Sequence, residues 1–177
     1  MKLSTNLIWY PACALLAIVS AGCQTVHVTT TREVNRSVET TWEVFANADH
    51  LGSWMHAGWD RGVMDWADVD ESAIGVPRMV RFVDEGEQME LTQTILTVKP
   101  HEEFRYTFDH EWADTDFKFY FEPNGPNKST IRWEFVATPK GWHGVWMNLS
   151  RGAIKARFNS HLNKLQALVE NQPQRLP

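Results

Sequence analysis

The sequence predicts an α+β domain in which a curved antiparallel sheet of six to seven strands wraps around one long C-terminal helix. Between Gly144 and Asn171 the apolar residues recur at spacings of three and four, which puts them on one side of a helix. Such a helix would run ~40 Å at about 1.5 Å per residue, so it needs a broad apolar surface to lie on. Three aromatic-rich runs between 104 and 135 alternate with polar residues, as strands with one buried face do.

Residues 1–22 have the features of a secretory signal peptide, and we expect a single domain over residues 23–177. Lys2 supplies a positive charge, Leu7 to Val19 form an apolar run, and Ser20-Ala21-Gly22 suit a cleavage site. The apolar run is shorter than the ~20 residues that a membrane-spanning helix needs. This segment is therefore not expected to belong to the fold.

Cys23 follows the small residues directly, and Ser20-Ala21-Gly22-Cys23 resembles the bacterial lipobox. In that motif the cysteine is diacylated and becomes the mature N-terminus. Ser20 departs from the motif, which prefers Leu, Val or Ile there; a plain cleaved signal and an uncleaved anchor are the alternatives. Gln24 comes next, and in organisms that sort lipoproteins by this position a residue other than Asp implies the outer membrane. The resemblance implies a lipid-anchored protein of the bacterial cell envelope that faces the periplasm, and otherwise a secreted one.

The charge and the cysteine content exclude several function classes. The formal net charge is −5, and no basic run with interleaved aromatics is present, so we expect no nucleic-acid partner. Cys13 would leave with the signal segment, and the mature chain would keep Cys23 alone. Thiol catalysis and cysteine-based metal sites are therefore excluded. The oligomeric state stays open.

The first elements of the domain are a strand and two short helices. Thr25 to Val34 is a β-branched run with alternating polarity, which is typical of a strand. Ser37 is a good N-cap for a helix over Glu39 to Ala46. Asp49 opens a second short helix that contains Leu51, Trp54 and Met55. The connection from 58 to 72 is polar and acidic, with a short strand near Val63 to Ala67.

The strand pattern then continues as far as Pro139. Runs over Arg78 to Val83 and Glu87 to Val98 come first, with Gly86 at the turn between them. Three further runs each put their rings on one face. These faces comprise Phe104, Tyr106, Phe108 and His110, then Phe117, Phe119 and Phe121, then Ile131, Trp133 and Phe135. Their short connections predict an antiparallel meander, and Pro139-Lys140-Gly141 breaks the sheet before the helix.

This order of weak motifs resembles the helix-grip fold of the START-like or SRPBCC superfamily, which includes the polyketide cyclase/dehydrase family, the Bet v 1 allergens and lipid-transfer domains. The resemblance covers most of residues 26 to 170, and no single motif in it is specific. The residues that carry it are Arg32 to Val34 with Ser37 to Phe45, Gly75 with Arg78 to Phe82, Glu103 to Phe108, and Phe158 to Leu168.

The resemblance implies an apolar cavity between the inner face of the sheet and the long helix. Matching each position to the pattern gives a predicted lining from the sheet, from the helix and at the mouth. It comprises Phe82, Met89, Tyr106, Phe108, Phe119, Phe121, Trp133 and Phe135 from the sheet, Met147, Arg151, Ile154 and Phe158 from the helix, and Trp54 and Met55 near the mouth. The alternative is that these rings simply fill the core.

Tyr106 and His110 are the candidate catalytic residues, because both lie on the aromatic face of their strand. A Tyr and a His could orient a ligand carbonyl or act as acid and base. Alternatively, the Tyr106 hydroxyl faces a buried partner and His110 sits at a solvent-facing strand end. The acidic residues around His110 match no metal-binding spacing, and no phosphate loop or nucleophile motif is present. We expect no metal and no cofactor.

Three functional interpretations follow from these residues. The first is a lipid-anchored envelope protein that binds a hydrophobic or amphipathic small molecule, or a lipid, in an apolar cavity. The second is a polyketide cyclase/dehydrase-like enzyme that acts on an apolar substrate through Tyr106 or His110. The third is a non-catalytic envelope scaffold with a filled core, which docks a partner through the loop from Trp59 to Glu71.

Overall fold

The computed structural model describes residues 24–55, 66, 69–84 and 86–173, without the side chains of Phe82 and Asp84. The predicted signal segment 1–22, Cys23 and all but Trp66 of the strand expected near Val63 to Ala67 lie outside the described residues. So does most of the acidic connection that follows the second helix.

The observed elements follow the predicted order. They are β1 (Val26–Val34), α1 (Val38–Ala46), α2 (Ala48–Trp54), β2 (Pro77–Asp84), β3 (Glu87–Lys99), β4 (Glu103–Asp109), β5 (Ala113–Pro123), β6 (Ser129–Pro139), α3 (His143–Leu149) and α4 (Arg151–Glu170). A 3₁₀ turn, Glu71–Ala73, lies before β2. The fold class is therefore α+β, as predicted.

The six strands form one antiparallel sheet in the order β1-β6-β5-β4-β3-β2. Strands β2 to β6 are a meander of neighbours, and β1 pairs with β6 on the far side, so that Val26 lies opposite Ala137. The pairing of β3 with β4 shifts register between Ile95 and Thr97. A bulge of this kind bends a strand and increases its twist, which suits a sheet that curves around a helix.

The short helices begin where their polar caps allow. The Ser37 side chain accepts a hydrogen bond from the backbone N–H of Thr40, which confirms Ser37 as the N-cap of α1. The second helix begins one residue before the expected Asp49. Its cap is Asn47, whose Oδ1 accepts from the backbone N–H of Asp49 at 2.8 Å.

The C-terminal helix is divided at Ser150, whereas the sequence predicts one continuous helix from Gly144 to Asn171. Ser150 has φ −83° and ψ −1°, so its ψ lies well away from the ordinary helical value near −42°. The N–H of Ser150 still bonds to the carbonyl of Trp146 at 2.9 Å, and the N–H of Ile154 bonds to that of Ser150 at 2.9 Å. The division is therefore a bend between two helices that share a hydrogen-bond ladder.

The longer helix, α4, packs its apolar side against the sheet and the first two helices. Phe158, His161, Leu162, Leu165 and Val169 are the buried residues of this side. Its C-terminal end is held by the loop after β1, since the Arg36 Nη2 donates to the Glu170 carbonyl at 2.6 Å and the Asn35 N–H donates to Glu170 Oε1 at 3.0 Å. None of the helices in the described part of the chain is both long and apolar enough to cross a bilayer.

Candidate functional site

One half of the sheet's inner face is packed solid beneath α1 and α2. Phe45 of α1 is fully buried at its centre and touches aromatic rings on every side. Six rings surround it, with centroids at 5.8 Å for Trp42, 5.5 Å for Trp54, 5.1 Å for Trp66, 5.7 Å for Phe104, 4.9 Å for Phe119 and 4.8 Å for Phe121. We call this the packed half of the sheet.

The other half, which we call the open half, contains a cavity of about 210 Å³ between the sheet and the two C-terminal helices, and this cavity is partly open to solvent. Most of its walls are aromatic and aliphatic side chains. The lining comprises Met55, Met89, Leu91, Tyr106, Phe108, His110, Trp112, Thr115, Phe117, Trp133, Phe135, Met147, Ile154, Arg157, Phe158 and His161.

The helical wall of the cavity follows from spacing along α4. Ile154, Arg157, Phe158 and His161 recur at intervals of three and four, so they share one side of the helix. The Phe158 ring stacks on that of Trp133 with centroids 4.1 Å apart and planes at 19°. This stacking joins α4 to β6 at the base of the cavity.

Strand alternation builds the sheet wall. Tyr106 and Phe108 of β4 lie two residues apart, and Phe117 of β5 is paired with Tyr106 on one side and with Phe135 of β6 on the other. The rings of Tyr106 and Phe117 stack at 4.9 Å with planes at 10°. Successive strands thus present a continuous aromatic surface to the cavity.

Tyr106 is held as a neutral phenol. Only 1% of the residue is exposed, and its hydroxyl donates to Met55 Sδ at 3.8 Å. Burial raises the pKa of Tyr106 far above its ordinary value of 10.0, because the phenolate would lose its hydration. Tyr106 can therefore offer a hydrogen bond in the cavity, and it is poorly suited to remove a proton at neutral pH.

His110 is held as a neutral imidazole at the end of β4. The indole Nε1–H of Trp112 donates to His110 Nε2 at 3.0 Å, and their rings lie 4.5 Å apart. Burial is the main reason that the pKa of His110 lies below its ordinary value of 6.5. The backbone N–H of Trp112 also lies 3.4 Å from His110 Nδ1, so both ring nitrogens face donors of Trp112, which leaves less capacity for His110 to act as a general base.

Four polar side chains besides Tyr106 reach the cavity, and none of them is in the lining that the sequence predicts. His110 is predicted only as a catalytic candidate, and Thr115, Arg157 and His161 are not predicted at all. Thr115 is buried and donates through Oγ1 to the Phe108 carbonyl at 3.2 Å. His161 is also buried, with its ring 6.0 Å from that of Trp133. Arg157 is half-buried on the same helix face. The signal for Arg157 and His161 is the same helical spacing that identifies Ile154 and Phe158.

The structure brings nine of the predicted lining residues to the cavity. These are Met55, Met89, Tyr106, Phe108, Trp133, Phe135, Met147, Ile154 and Phe158. Trp54, Phe119 and Phe121 belong to the packed half instead, because α1 covers that part of the inner face. The Phe82 side chain lies outside the described part of the structure.

Two residues differ from the predicted lining: Arg151 is predicted to line the cavity and does not, and Phe117 lines it without being predicted. The sequence predicts Arg151 in the cavity one turn before Ile154, but it is exposed at the first position of α4, just after the bend at Ser150. Phe117 lies on the inner face of its strand, as predicted, and it also lies at the centre of the sheet wall, although the predicted lining does not include it.

A lysine pairs with two carboxylates of the acidic turn next to His110. Lys140 Nζ lies 2.8 Å from Asp109 Oδ1 and 2.7 Å from Asp114 Oδ1, and it also donates to the His110 carbonyl at 2.8 Å. Lys140 lowers the pKa of Asp109 through this hydrogen bond. Within the described residues, no group of three or more His, Cys, Asp or Glu side chains is placed to hold a metal ion.

The sequence matches a family model over residues 25–170, and the family is described as polyketide cyclase / dehydrase and lipid transport. The match thus spans every strand and helix described above. Among curated proteins the sequence has no match.

Solved structures with the same fold come from bacteria and plants. Protein MLL2253 from Mesorhizobium loti has a TM-score of 0.61 and 15% identity, covering 84% of this chain and 99% of its own. Norcoclaurine synthase from Thalictrum flavum, in complex with dopamine and hydroxybenzaldehyde, has a TM-score of 0.59 and 13% identity, covering 98% of both chains. Protein CV1439 from Chromobacterium violaceum has a TM-score of 0.58 and 16% identity, covering 82% and 98%. At these identities the likeness is one of fold.

Proposed function

We propose, from the premise that this chain belongs to the polyketide cyclase / dehydrase and lipid transport family, that its domain binds a hydrophobic or amphipathic small molecule in the open half of the sheet. The observation that supports this most directly is the apolar cavity of about 210 Å³. A core that existed only for stability would be expected to close such a space, because native interiors are packed about as densely as organic crystals.

The size and lining of the cavity suggest the class of ligand. An apolar cavity of roughly 150 Å³ accommodates a molecule such as benzene, and pockets for drug-sized ligands start near ~300 Å³. At about 210 Å³ this cavity suits one or two fused rings or a short acyl chain. His110, Arg157 and His161 offer polar contacts for a single polar group on an otherwise apolar ligand.

We also propose that the protein is held at the bacterial cell envelope by acylation of Cys23. Its support is the apolar run from Leu7 to Val19 and the Ser20-Ala21-Gly22-Cys23 sequence. Cys23→Ser is expected to lose membrane association in a bacterial host, and the mass of the native N-terminal peptide should include the acyl groups. A native peptide that carries an unmodified Cys23, or one that retains residues 1–22, would contradict the anchor.

Native mass spectrometry of the purified protein tests ligand binding. We expect a co-purified small molecule that dissociates on activation in the gas phase. Ile154→Trp should abolish this signal, because the larger ring would extend from α4 into the cavity. The matched control is Ala153→Trp, since residue 153 is the exposed neighbour of Ile154 and does not line the cavity.

The comparison of these two variants separates a binding site from a filled core. Loss of the ligand in both variants, or in neither, would contradict binding in this cavity. A wild-type protein that carries no ligand and also fails to take up apolar probes of one or two rings would favour the scaffold interpretation instead.

The alternative function is that of a polyketide cyclase/dehydrase-like enzyme. The observation in its favour is that Tyr106 and His110, the two candidate catalytic residues, both line the cavity. Their hydrogen bonds to Met55 and from Trp112 argue for binding over proton transfer. If Tyr106→Phe and His110→Ala bind the ligand normally and turnover of a bound substrate is lost, the enzyme becomes the better description.

A further inference from the structure

We propose that α3 docks the domain onto a lipid bilayer through an exposed apolar stripe formed by Trp142, Trp146 and Leu149. These side chains follow a spacing of four and three, so they lie on one side of the helix and its preceding residue. They are 66%, 61% and 72% exposed, more than any other large apolar residue in the described part of the chain. We call these three residues the α3 stripe.

The chemistry of the α3 stripe fits the headgroup region of a bilayer. Tryptophan combines a large apolar ring with an N–H donor, and it is enriched where membrane meets water. Leu149 adds an aliphatic side chain that can enter the acyl boundary. The opposite side of α3 is already used, because Met147 is buried against the cavity.

The course of the N-terminal chain supports a bilayer as the occupant of this surface, and this step rests on the proposed membrane anchor. Asn148 of α3 donates through Nδ2 to the Gln24 carbonyl at 3.4 Å. Gln24 is preceded by Cys23 and by the apolar run from Leu7 to Val19. Whether that segment is cleaved and acylated or retained, the chain therefore enters the domain beside the α3 stripe. An anchor in the membrane would hold this surface against the headgroups.

The basic residues that follow the α3 stripe in the sequence are consistent with an anionic bilayer. Residues 140 to 169 contain five basic residues and no acidic ones, although the whole chain has a net charge of −5. Lys140 is paired with Asp109 and Asp114, whereas Arg151 and Lys155 are exposed on the first turns of α4. Basic side chains next to an apolar surface are attracted to anionic headgroups.

This docking surface adds to the proposed ligand binding and does not depend on it. It shares one short helix with the cavity, because Trp146 points outward and the adjacent Met147 lines the cavity. A docked α3 would thus separate the ligand site from the bilayer by the thickness of a single helix.

Site-specific photo-crosslinking in the full chain tests the docking surface. Trp146→p-benzoylphenylalanine and Leu149→p-benzoylphenylalanine are made separately in a bacterial host, and membranes are irradiated before extraction. Both positions are exposed, so the probe should not disturb folding. The matched control is Glu122→p-benzoylphenylalanine, which is exposed near the other end of β5, roughly 30 Å from Ala113 at 3.3–3.4 Å per residue.

We expect adducts with the mass of one phospholipid at positions 146 and 149, at about ten-fold the yield found at position 122. An adduct to a second copy, to another segment of this chain or to another protein would overturn the inference, as would equal lipid adducts at all three positions or none at any. The outcome is distinguishable from the proposed function. If lipid adducts form but Cys23 is not acylated, only the proposed anchor is contradicted. If lipid adducts form but the protein has no bound small molecule, only the proposed ligand binding is contradicted.

Discussion

The inner face of the sheet is divided into a packed half and an open half. This division predicts that replacing a buried phenylalanine lowers the free energy of unfolding more in the packed half than in the open half. Phe45 and Phe158 are both buried, at 0% and 8% exposure. Phe45 has six aromatic neighbours and does not line the cavity. Phe158 has three, Phe117, Trp133 and Phe135, and it also contributes to the cavity wall. We consider Phe45→Ala and Phe158→Ala as a pair.

The magnitudes follow from the contacts that each ring makes. Replacing a buried phenylalanine with alanine costs about 3 to 5 kcal/mol of the free energy of unfolding, and the larger values belong to sites that cannot relax. Phe45→Ala should reach about 5 kcal/mol, because rings enclose it on all sides. Phe158→Ala should cost about 3 kcal/mol, because part of its surface already faces the cavity. For a domain of this size that loss corresponds to a fall in Tm of roughly 6 to 12 °C.

Urea denaturation at neutral pH, followed by tryptophan fluorescence, measures both free energies, and scanning calorimetry gives the Tm values. Phe158→Ala should also change which ligand co-purifies, since it enlarges the cavity, and Phe45→Ala should leave the bound ligand the same wherever the variant remains folded. Equal costs for the two variants, or a cost below about 1 kcal/mol for Phe158→Ala, would refute the division of the sheet into two halves.

Three further predictions concern individual hydrogen-bonding side chains. Tyr106→Phe should lower the free energy of unfolding by less than about 1 kcal/mol and should keep the ligand, as measured by urea denaturation and native mass spectrometry, because the lost bond is a weak one to sulfur. The Asn35 N–H lowers the pKa of Glu170 below its ordinary value of 4.5, so the stability it contributes is fully present above that pH and is lost as the pH falls through the lowered value. Glu170→Gln should therefore reduce the loss of stability that occurs as the pH falls below the ordinary value of 4.5, and an unchanged acid dependence would contradict this assignment. Ser37→Ala should cost about 1 kcal/mol by removing the N-cap of α1, whereas Ser160→Ala on the exposed side of α4 should cost nothing measurable.

The fold could be predicted largely from periodicity. The alternation of Phe104, Tyr106 and Phe108 fixes which side of β4 is buried, and β5 and β6 repeat it, so the pattern alone indicates that the three strands share a buried face. The bend at Ser150 does not interrupt the apolar spacing, and its only local signal is Ser150 with Gly152 two residues later, a weak form of the Gly/Ser pairs at which helices can kink. Periodicity cannot distinguish a continuous helix from two helices that share a hydrogen-bond ladder.

The cavity was harder to predict than the sheet. The alternation of residues along a strand shows which side of the sheet a residue faces, but it does not show which element covers that side. Phe119 and Phe135 face the same side of the sheet and are similarly buried, yet α1 covers Phe119 and the cavity lies over Phe135. The position of α1 depends on how its own Trp42 and Phe45 pack against the rings of β5, which is distant from α1 in the sequence. Arg157 has the helical spacing to Ile154 that a lining residue needs, but a search for apolar side chains alone overlooks it.

The attachment of α4 to the loop after β1 has a geometric consequence for the two ends of the described chain. Gln24 lies beside α3, while Glu170 lies beside Asn35, beyond the opposite end of β1. The 20 residues of α4 separate these places by about 30 Å at 1.5 Å per residue. An affinity tag or a fluorescent protein fused after residue 173 would therefore stand one helix length away from the N-terminal side of the domain, where it should leave both the cavity and α3 unobstructed.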